Sequence, residues 1–335
     1  MLDDRFIRLA HGNGGRFMRE LIAEVFRANL DSAALDVTCD AAAAPLPAGV
    51  AFVSTDAFTV QPLEFPGGDI GSLAVNGTVN DIAVSGATPH YLTLAAIIEE
   101  GLDVALLARI VASAGRAARD AGVKIIAGDT KVVPRGTGGG LYLTTTGVGI
   151  RAPDLTLGLS CIRAGDAILV SGPVGDHGTA VMLAREDFDL KGDVRSDCAS
   201  VLPLTRVLTQ REGVRFMRDP TRGGLNSVVH EIAQATGHDL VLDEAAVPVR
   251  DAVRSVCDIL GYDPYQLACE GRIVAVVAPD VAAAALSLWQ ATHGGHDAAI
   301  IGHVADGRGR VVLRTTAGGE RLLAELEDDP LPRIC

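Results

Sequence analysis

The stretch Gly67-Gly-Asp-Ile-Gly-Ser-Leu-Ala-Val-Asn-Gly-Thr-Val-Asn-Asp-Ile-Ala-Val-Ser-Gly86 organises the first half of the chain. Its opening glycines and Asp69 predict a loop and an N-cap, because an aspartate side chain can accept the first free N–H groups of a helix. The residues that follow predict a long helix from about Ile70 to Ser85, which Gly86 ends. Asn80 and Asp81 then lie near the end of this helix.

Strands and helices alternate on both sides of this helix. Helical spacing predicts helices after the glycine-rich run at 11–15 and at 104–121, and short apolar runs predict strands. In the first half the predicted strands are 51–54, 91–98, 123–127 and 141–150. In the second half strands at 167–170, 273–278, 299–304 and 311–313 accompany helices at 178–184, 225–235 and 281–290. The alternation predicts the α/β class, with mixed α and β elements.

The chain is long enough for two domains. Its 335 residues allow two separate cores. Residues 151–163 contain Pro153 and Gly158 and show no sustained periodicity, which places a domain boundary there. We therefore expect an N-terminal domain over residues 1–155, a C-terminal α/β domain over 156–318 and a flexible tail over 319–335.

The overall charge limits the partners. With 29 basic and 42 acidic residues, the net charge is −13, which argues against nucleic acid or an anionic membrane as a partner. A phosphorylated ligand would then need a metal ion to bridge it to the protein. The sequence has no apolar run of about 18 residues and no signal-peptide pattern at its start, so we expect a cytoplasmic protein.

The cysteines predict neither a zinc site nor a disulfide framework. They lack CxxC pairs and Cys/His spacing, and a cytoplasmic chain rarely keeps disulfides. Buried or half-buried thiols are expected at Cys39, Cys161, Cys198, Cys257 and Cys269. Cys335 differs because it ends the chain behind Pro330 and Pro332, which keep a segment extended. It is either a thiol that carries a substrate or an ordinary frayed terminus.

Three carboxylates fall at or near the ends of predicted elements. They are Asp56, Asp81 and Asp129. Such side chains can converge on Mg²⁺, which prefers oxygen ligands and is usually shared with substrate phosphates. The alternative is that each aspartate forms a turn or a cap. Lys131 either neutralises a phosphoryl oxygen or is a solvated surface lysine.

Two further segments suggest chemistry. Asp219-Pro-Thr-Arg-Gly-Gly224 precedes a predicted helix, and N–H groups at a helix start favour an anion that glycines let come close. An ordinary capped loop explains the same pattern. Glu270 lies beside Gly271 just before a predicted strand, so it is either a general base or a surface glutamate paired with Arg272.

Taken in order along nearly the whole chain, these motifs resemble the hydrogenase maturation factors called HypE. The matching segments are 11–15, 55–60, 65–71, 77–81, 128–131, 175–178, 219–225 and the ending Pro332-Arg-Ile-Cys335. HypE proteins belong to a superfamily with aminoimidazole ribonucleotide synthetase, selenophosphate synthetase and thiamine-monophosphate kinase. The resemblance implies a two-domain α/β fold, a homodimer that pairs through the N-terminal domains, and ATP with Mg²⁺ in the cleft.

The resemblance also implies an activity. A carbamoyl group that the carbamoyltransferase HypF places on the terminal cysteine is dehydrated to a thiocyanate while ATP is consumed. The cyanide then passes to iron on the HypC–HypD scaffold for the nickel-iron hydrogenase centre.

The resemblance assigns roles to individual residues. Mg²⁺ and the phosphates would be held by Asp56, Asp81, Asp129, Asp219 and Thr221. Lys131 would screen developing charge, Glu270 would take the proton, and Cys335 would carry the substrate. Asp40 best matches an acidic residue of the family in an alanine-rich segment, and Ala57 replaces a usual serine.

Two other functions remain open at this stage. The same fold could phosphorylate a free small molecule, although a diffusible substrate needs no thiol arm. Alternatively, the chain could be a carrier whose Cys335 binds a metal or a partner while ATP only locks its conformation.

Overall fold

The structure is a computed structural model that describes residues 4–13, 15–30, 35, 41–185 and 193–327. In chain order its helices are α1 (Arg16–Leu21), which continues as a π-helix (Ile22–Arg27), α2 (Ala28–Leu30), α3 (Ile70–Val84), α4 (Val104–Ala121), α5 (Asp176–Ala184), α6 (Leu202–Thr209), α7 (Gly224–Thr236), α8 (Asp251–Leu260) and α9 (Ala282–Gln290). Short 3-10 turns cover Leu9–Gly12, Leu159–Cys161 and Pro264–Gln266.

The strands are β1 (Val50–Phe58), β2 (Glu64–Phe65), β3 (Gly68–Asp69), β4 (Thr88–Glu99), β5 (Lys124–Val133), β6 (Leu141–Arg151), β7 (Ala167–Val170), β8 (Val214–Arg218), β9 (Asp239–Asp243), β10 (Val274–Val277), β11 (Ala299–Ala305), β12 (Val311–Arg314) and β13 (Glu320–Leu322). They form a four-stranded sheet, β1-β6-β4-β5, and a seven-stranded sheet, β13-β12-β9-β11-β7-β10-β8, while β2 and β3 pair with each other. The predicted mixed α/β class is therefore confirmed.

Helices α3 and α4 cover one face of the four-stranded sheet. Leu73 and Ile110 from these helices pack in one core with Leu92, Ile125 and Leu143 from the strands. The two helices come close together at Gly71, where an added Cβ would run into the carbonyl of Ile110. Asp69 begins α3 as predicted, because its Oδ1 accepts the N–H groups of Gly71 at 2.8 Å and Ser72 at 3.0 Å.

The other face of this sheet has no covering layer within the described residues. Because side chains alternate along a strand, the register puts Ala57, Thr144, Ala95 and Asp129 in one row across this open face. Exposed apolar side chains lie on it as well, with Val53 65% exposed and Ile97 42% exposed.

The seven-stranded sheet is covered on both faces. Leu225 and Val229 of α7 pack on one face with Val170 and Val274. On the other face Leu204 of α6 and Trp289 of α9 pack in a core that includes Leu169. That core also takes in Ala83 and Val84, so the end of α3 is packed into the C-terminal half. Within the described residues, no helix is both long enough and apolar enough to cross a membrane.

The N-cap of α3 gives a test of this packing. Asp69→Ala removes the acceptor for two N–H groups and should lower the free energy of unfolding by about 1–2 kcal/mol. Asp103→Ala is the matched control, because Asp103 caps α4 through one N–H group, that of Leu106 at 3.0 Å. It should lose about 0.5–1 kcal/mol. Urea unfolding followed by far-ultraviolet circular dichroism measures both, and a larger loss in the control would contradict this account.

Candidate functional site

A cavity of about 640 Å³ lies between the two halves of the molecule. Its walls come from β1, α3, the end of β8, the start of α7 and the segment before β10. The cavity brings together most of the site residues predicted from the sequence, namely Asp56, Asp81, Asp219, Thr221 and Glu270. Sequence reasoning did not assign a role there to Arg218, Arg222 or Glu231, which also line the cavity.

Asp56 faces α3 from within β1. The predicted strand ended at Ser54, but β1 continues to Phe58 because it pairs with β6 along its whole length. Thr78 of α3 donates to Asp56 Oδ2 at 2.6 Å and lies 2.5 Å from the hydroxyl of Thr145 on β6. The Asp56 carboxylate is thereby fixed between strand and helix.

Asp81 lies beside Asp56 and shares a serine with it. Ser54 Oγ donates to Asp81 Oδ2 at 2.5 Å and lies 3.4 Å from Asp56 Oδ2. Burial raises the pKa of Asp81, the Ser54 hydrogen bond opposes that shift, and the charge of Asp56 adds to it. Ser54 stands two residues before Asp56, on the same face of the strand, which is the sequence signal that could have identified it.

Asp219 is almost fully buried at the end of β8, with 7% of its surface exposed. Burial, followed by the charge of Asp81, raises the pKa of Asp219 to about 7. Its Oδ2 has no hydrogen-bond partner among the described residues. The predicted loop and helix start after it are confirmed, since α7 begins at Gly224, and both Gly223 and Gly224 have positive φ.

Glu270 is a buried carboxylate, so its alternative interpretation as a surface glutamate paired with Arg272 is wrong. Only 2% of its surface is exposed, and Arg272 lies instead against Asp176 and Asp197 at 3.4 Å from each. Burial raises the pKa of Glu270 well above its ordinary value, and the charge of Asp197 and then Asp219 adds to this shift. Its Oε1 has no hydrogen-bond partner among the described residues.

These carboxylates fit a hard divalent cation that is shared with a ligand. No group of three or more acidic, histidine or cysteine side chains in the described parts of the chain is arranged to hold a metal by itself. However, Mg²⁺ usually takes only one or two carboxylates and completes its shell with water and phosphate oxygens. The unpartnered, buried Asp219 Oδ2 is the kind of oxygen such a cation satisfies.

Asp129 and Lys131 are not in this cavity. They lie on β5, three strand spacings or about 14 Å across the sheet from β1. The register puts Asp129 on the open face, whereas Asp56 faces α3. Lys131 Nζ pairs with Asp129 Oδ2 at 3.1 Å. Within one chain the structure does not bring these two residues together with the other predicted site residues.

Asp40 and Cys335 lie outside the described residues, so their predicted roles stay predictions. The last described residues nevertheless contact α7 and Gly223, which lie close to the cavity. Asn226 Nδ2 of α7 donates to the carbonyl of Ala324 at 2.9 Å, and Leu326 packs beside Gly223. Gly223 is two residues from Thr221, which lines the cavity. A fully extended segment of nine residues, the number that follows Leu326 in the sequence, spans about 30 Å.

The predicted burial of the cysteines is confirmed at the four positions that the structure describes. Cys257 and Cys269 are buried, and Cys161 and Cys198 are half-buried. Cys39 lies outside the described residues.

Comparisons with known proteins identify the family of this chain. Residues 39–151 match the family described as AIR synthase related protein, N-terminal domain, and residues 163–314 match its C-terminal domain. Carbamoyl dehydratase HypE of Rhodobacter capsulatus is 47% identical over 339 residues, which cover 100% of this chain and 99% of the relative.

Solved structures give the same result. A hydrogenase maturation protein HypE in complex with ATP has a TM-score of 0.93 and 44% identity over 98% of this chain and 99% of that chain. A HypE–HypF complex matches with a TM-score of 0.80 and 42% identity over 91% of this chain and 99% of that chain. The resemblance stated from the sequence motifs is confirmed, and the chain belongs to the HypE family of carbamoyl dehydratases, among the AIR synthase related proteins.

Proposed function

We propose that this protein uses ATP to dehydrate a thiocarbamate on its own Cys335 to a thiocyanate. The observation that carries the proposal is the pair of buried carboxylates, Asp219 and Glu270, each with an unpartnered oxygen in one cavity. One HypE relative was solved with ATP, which supports ATP as the nucleotide here. Leu326 packs beside Gly223, close to the cavity. This position supports delivery of the terminal thiol of Cys335 to the same cavity.

Asp56, Asp81 and Asp219 would hold Mg²⁺ against the phosphates, with one or two of these carboxylates coordinating each ion and the phosphates and water completing its shell. When bound, the ion would supply positive charge that offsets the phosphates in an acidic protein. Arg222 adds positive charge at the cavity wall, and Thr221 offers a hydroxyl close to the start of α7. Arg218 also lines the cavity but pairs there with Glu231 at 3.0 Å. The N-terminal N–H groups of α7 favour an anion as well.

The chemistry needs two steps. The carbamoyl oxygen first takes the terminal phosphoryl group of ATP, with ADP leaving, because an unmodified oxygen is a poor leaving group. As this oxygen becomes phosphorylated, nitrogen gives one of its two protons to solvent and a C=N–H group forms. Glu270 then removes the second nitrogen proton, the C–O bond breaks, phosphate departs and the C≡N bond is complete. The proton stays on the Glu270 carboxyl until solvent or phosphate takes it.

The raised pKa of Glu270 is compatible with this role. A carboxylate with a raised pKa binds a proton more tightly than an ordinary glutamate does. Glu270 can act as a base only in its carboxylate form. Cationic charge beside Asp81 and Asp219 would favour this form, because it opposes the repulsion from neighbouring carboxylates that adds to the effect of burial on the pKa of Glu270.

We also propose that the protein works as a homodimer whose open sheet faces pack together. The exposed Val53 and Ile97 on that face would be covered. Thr55 and Ala57 line the cavity and share this face with Asp129, so the cavity reaches the proposed interface. Asp129 and Lys131 would then serve the cavity of the second copy, which explains their distance from the site in their own chain.

The remaining assignments rest on the family resemblance. HypF would place the carbamoyl group on Cys335, in keeping with the HypE–HypF complex solved for a relative. The HypC–HypD complex would receive the cyanide, and these reactions would take place in the cytoplasm. The domain limits at 155 and 318, and the role of Asp40 as a further metal ligand, also remain predictions.

Intact mass spectrometry of the full chain tests the proposed function. After incubation with HypF, carbamoyl phosphate and ATP, a carbamoyl adduct should be found on Cys335, and it should lose one water only as ATP is consumed. Cys335→Ser should accept no carbamoyl group but still bind ATP. Glu270→Gln should accept the group and lose water about 100-fold more slowly, the scale typical of general-base loss.

Other outcomes of this experiment would contradict specific parts of the proposal. An unmodified Cys335 in the presence of demonstrably active HypF would favour the carrier or the small-molecule kinase. Full turnover by Glu270→Gln would disprove the base assignment while leaving the overall reaction in place.

The raised pKa of Asp219 predicts how stability depends on pH. Its folded-state pKa of about 7 lies above the ordinary value of 3.8. The folded state therefore binds the proton more tightly, and without Mg²⁺ and nucleotide this residue makes the protein less stable as the pH rises from 4 to 7. Asp219→Asn should match the parent at pH 4 and melt at a higher temperature at pH 8. Equal melting temperatures at pH 8 would refute the shift.

Mixed dimers test the assignment of Asp129 to the second copy. Asp129→Asn and Glu270→Gln should each inactivate their own homodimer. If the two residues act in sites formed by different chains, a re-equilibrated equal mixture should regain about a quarter of the parental activity, since half of the dimers then hold one intact site. No recovery, with hybrid dimers verified by native mass spectrometry, would place both residues in the site of one chain.

A further inference from the structure

The main chain of Glu270 is held from both sides by two buried side chains. Asn80 Nδ2 donates to the Glu270 carbonyl at 3.0 Å. Asp197 Oδ1 accepts the Glu270 N–H at 3.0 Å. Both side chains are about 1% exposed. Asn80 belongs to α3 of the N-terminal half, whereas Asp197 lies in the C-terminal half, so the two contacts reach Glu270 from different parts of the fold.

Both polar atoms of the Asn80 side-chain amide make hydrogen bonds. Nδ2 also donates to the carbonyl of Ala199 at 3.0 Å, and Oδ1 accepts the N–H of Val201 at 2.8 Å. A primary amide provides two donors and an acceptor on one short arm. An apolar replacement would remove all three hydrogen bonds, of which those to the Glu270 carbonyl and the Val201 N–H are buried.

Asp197 is itself anchored. Its Oδ2 accepts the N–H of Gly271 at 3.3 Å and lies 3.4 Å from Arg272 Nε. Arg272 also donates to the carbonyl of Pro173 at 2.9 Å. The guanidinium offsets the buried charge of Asp197, so this carboxylate can hold two successive N–H groups of the Glu270 segment.

These contacts matter because the Glu270 side chain has little else to orient it. Its Oε1 has no partner in the described parts of the chain, so no hydrogen bond at that oxygen sets its direction. The position of the carboxylate then depends on where its backbone is held. We propose that Asn80 and Asp197 are positioning residues that aim the Glu270 carboxylate at the carbamoyl nitrogen, an inference that rests on the proposed function of Glu270 as the base.

A simpler interpretation is that both residues only join the two halves of the protein. Asn80 also neighbours Asp81, so a substitution could act by moving a metal ligand. A double-mutant cycle with Glu270→Gln separates these cases, because a residue that acts through Glu270 has no further effect once that carboxylate is gone. A displaced Asp81 would instead weaken binding of Mg-ATP and slow the reaction in both backgrounds.

The test measures loss of water from carbamoylated Cys335 in a single turnover of the full chain. Asn80→Ala should slow this step about 10- to 100-fold, the scale expected when a reacting group is displaced by a fraction of an ångström to 1 Å. In the Glu270→Gln background, Asn80→Ala should lower the rate of water loss less than two-fold further. The Kd for Mg-ATP should stay within two-fold of the parent value. Asn76→Ala is the matched control, since Asn76 lies one turn earlier on α3 and donates to Cys198 Sγ at 3.8 Å.

Asp197→Asn repeats the test from the other side and covers the case in which Asn80→Ala does not fold. It keeps an oxygen for one N–H group but turns an NH₂ group towards another donor. The same rate loss, again absent in the Glu270→Gln background, would support the proposal. Equal slowing in both backgrounds, or no slowing by either variant, would overturn it.

The same data separate this inference from the proposed function. If the unaltered chain loses water and Glu270→Gln is slow, the function and the base stand, and the positioning inference is judged by the cycle alone. If the unaltered chain loses no water, the proposed function fails and the inference fails with it.

Discussion

Carboxylates that are buried beside one another are the constraint on which this site depends. Asp81, Asp219 and Glu270 all have raised pKa values, with burial as the largest cause and neighbouring acids as an additional one. Removing such groups from water is unfavourable unless a partner compensates. The rest of the fold has to hold them there, and it does so through the end of α3, which carries Asn80 and Asp81 into contact with the C-terminal half.

The sequence predicted helices and strands best where their bounds depend on residues that are close together in the chain. The bounds of α3 and α4 agree with prediction because Asp69 caps one helix, Gly122 ends the other, and α4 has a regular apolar spacing. Helices α6 and α8 and strands β8 and β9 were not predicted. Strand β1 was predicted too short for a different reason: its length depends on its antiparallel partner β6, which is distant in sequence.

The candidate site shows the same limit. Asp56, Asp81, Asp219, Thr221 and Glu270 meet in one cavity as their motifs suggested. Sequence reasoning could not find the groups that orient them, because Asp197 lies more than seventy residues from Glu270 and no local pattern connects the two. It also did not show that Asp129 lies on the opposite face of the sheet from Asp56, because that placement depends on the register of strands distant in sequence.

A substrate tethered to the protein changes what the cavity has to provide. A diffusible ligand must be held by contacts that offset its lost freedom, whereas a group on a short arm is already present at a high effective concentration. The α7 contacts near residues 324–326 fix where that arm begins. In the proposed function the cavity side chains would bind the phosphates and move the proton, and accurate placement of Glu270 would matter more than affinity for the thiocarbamate.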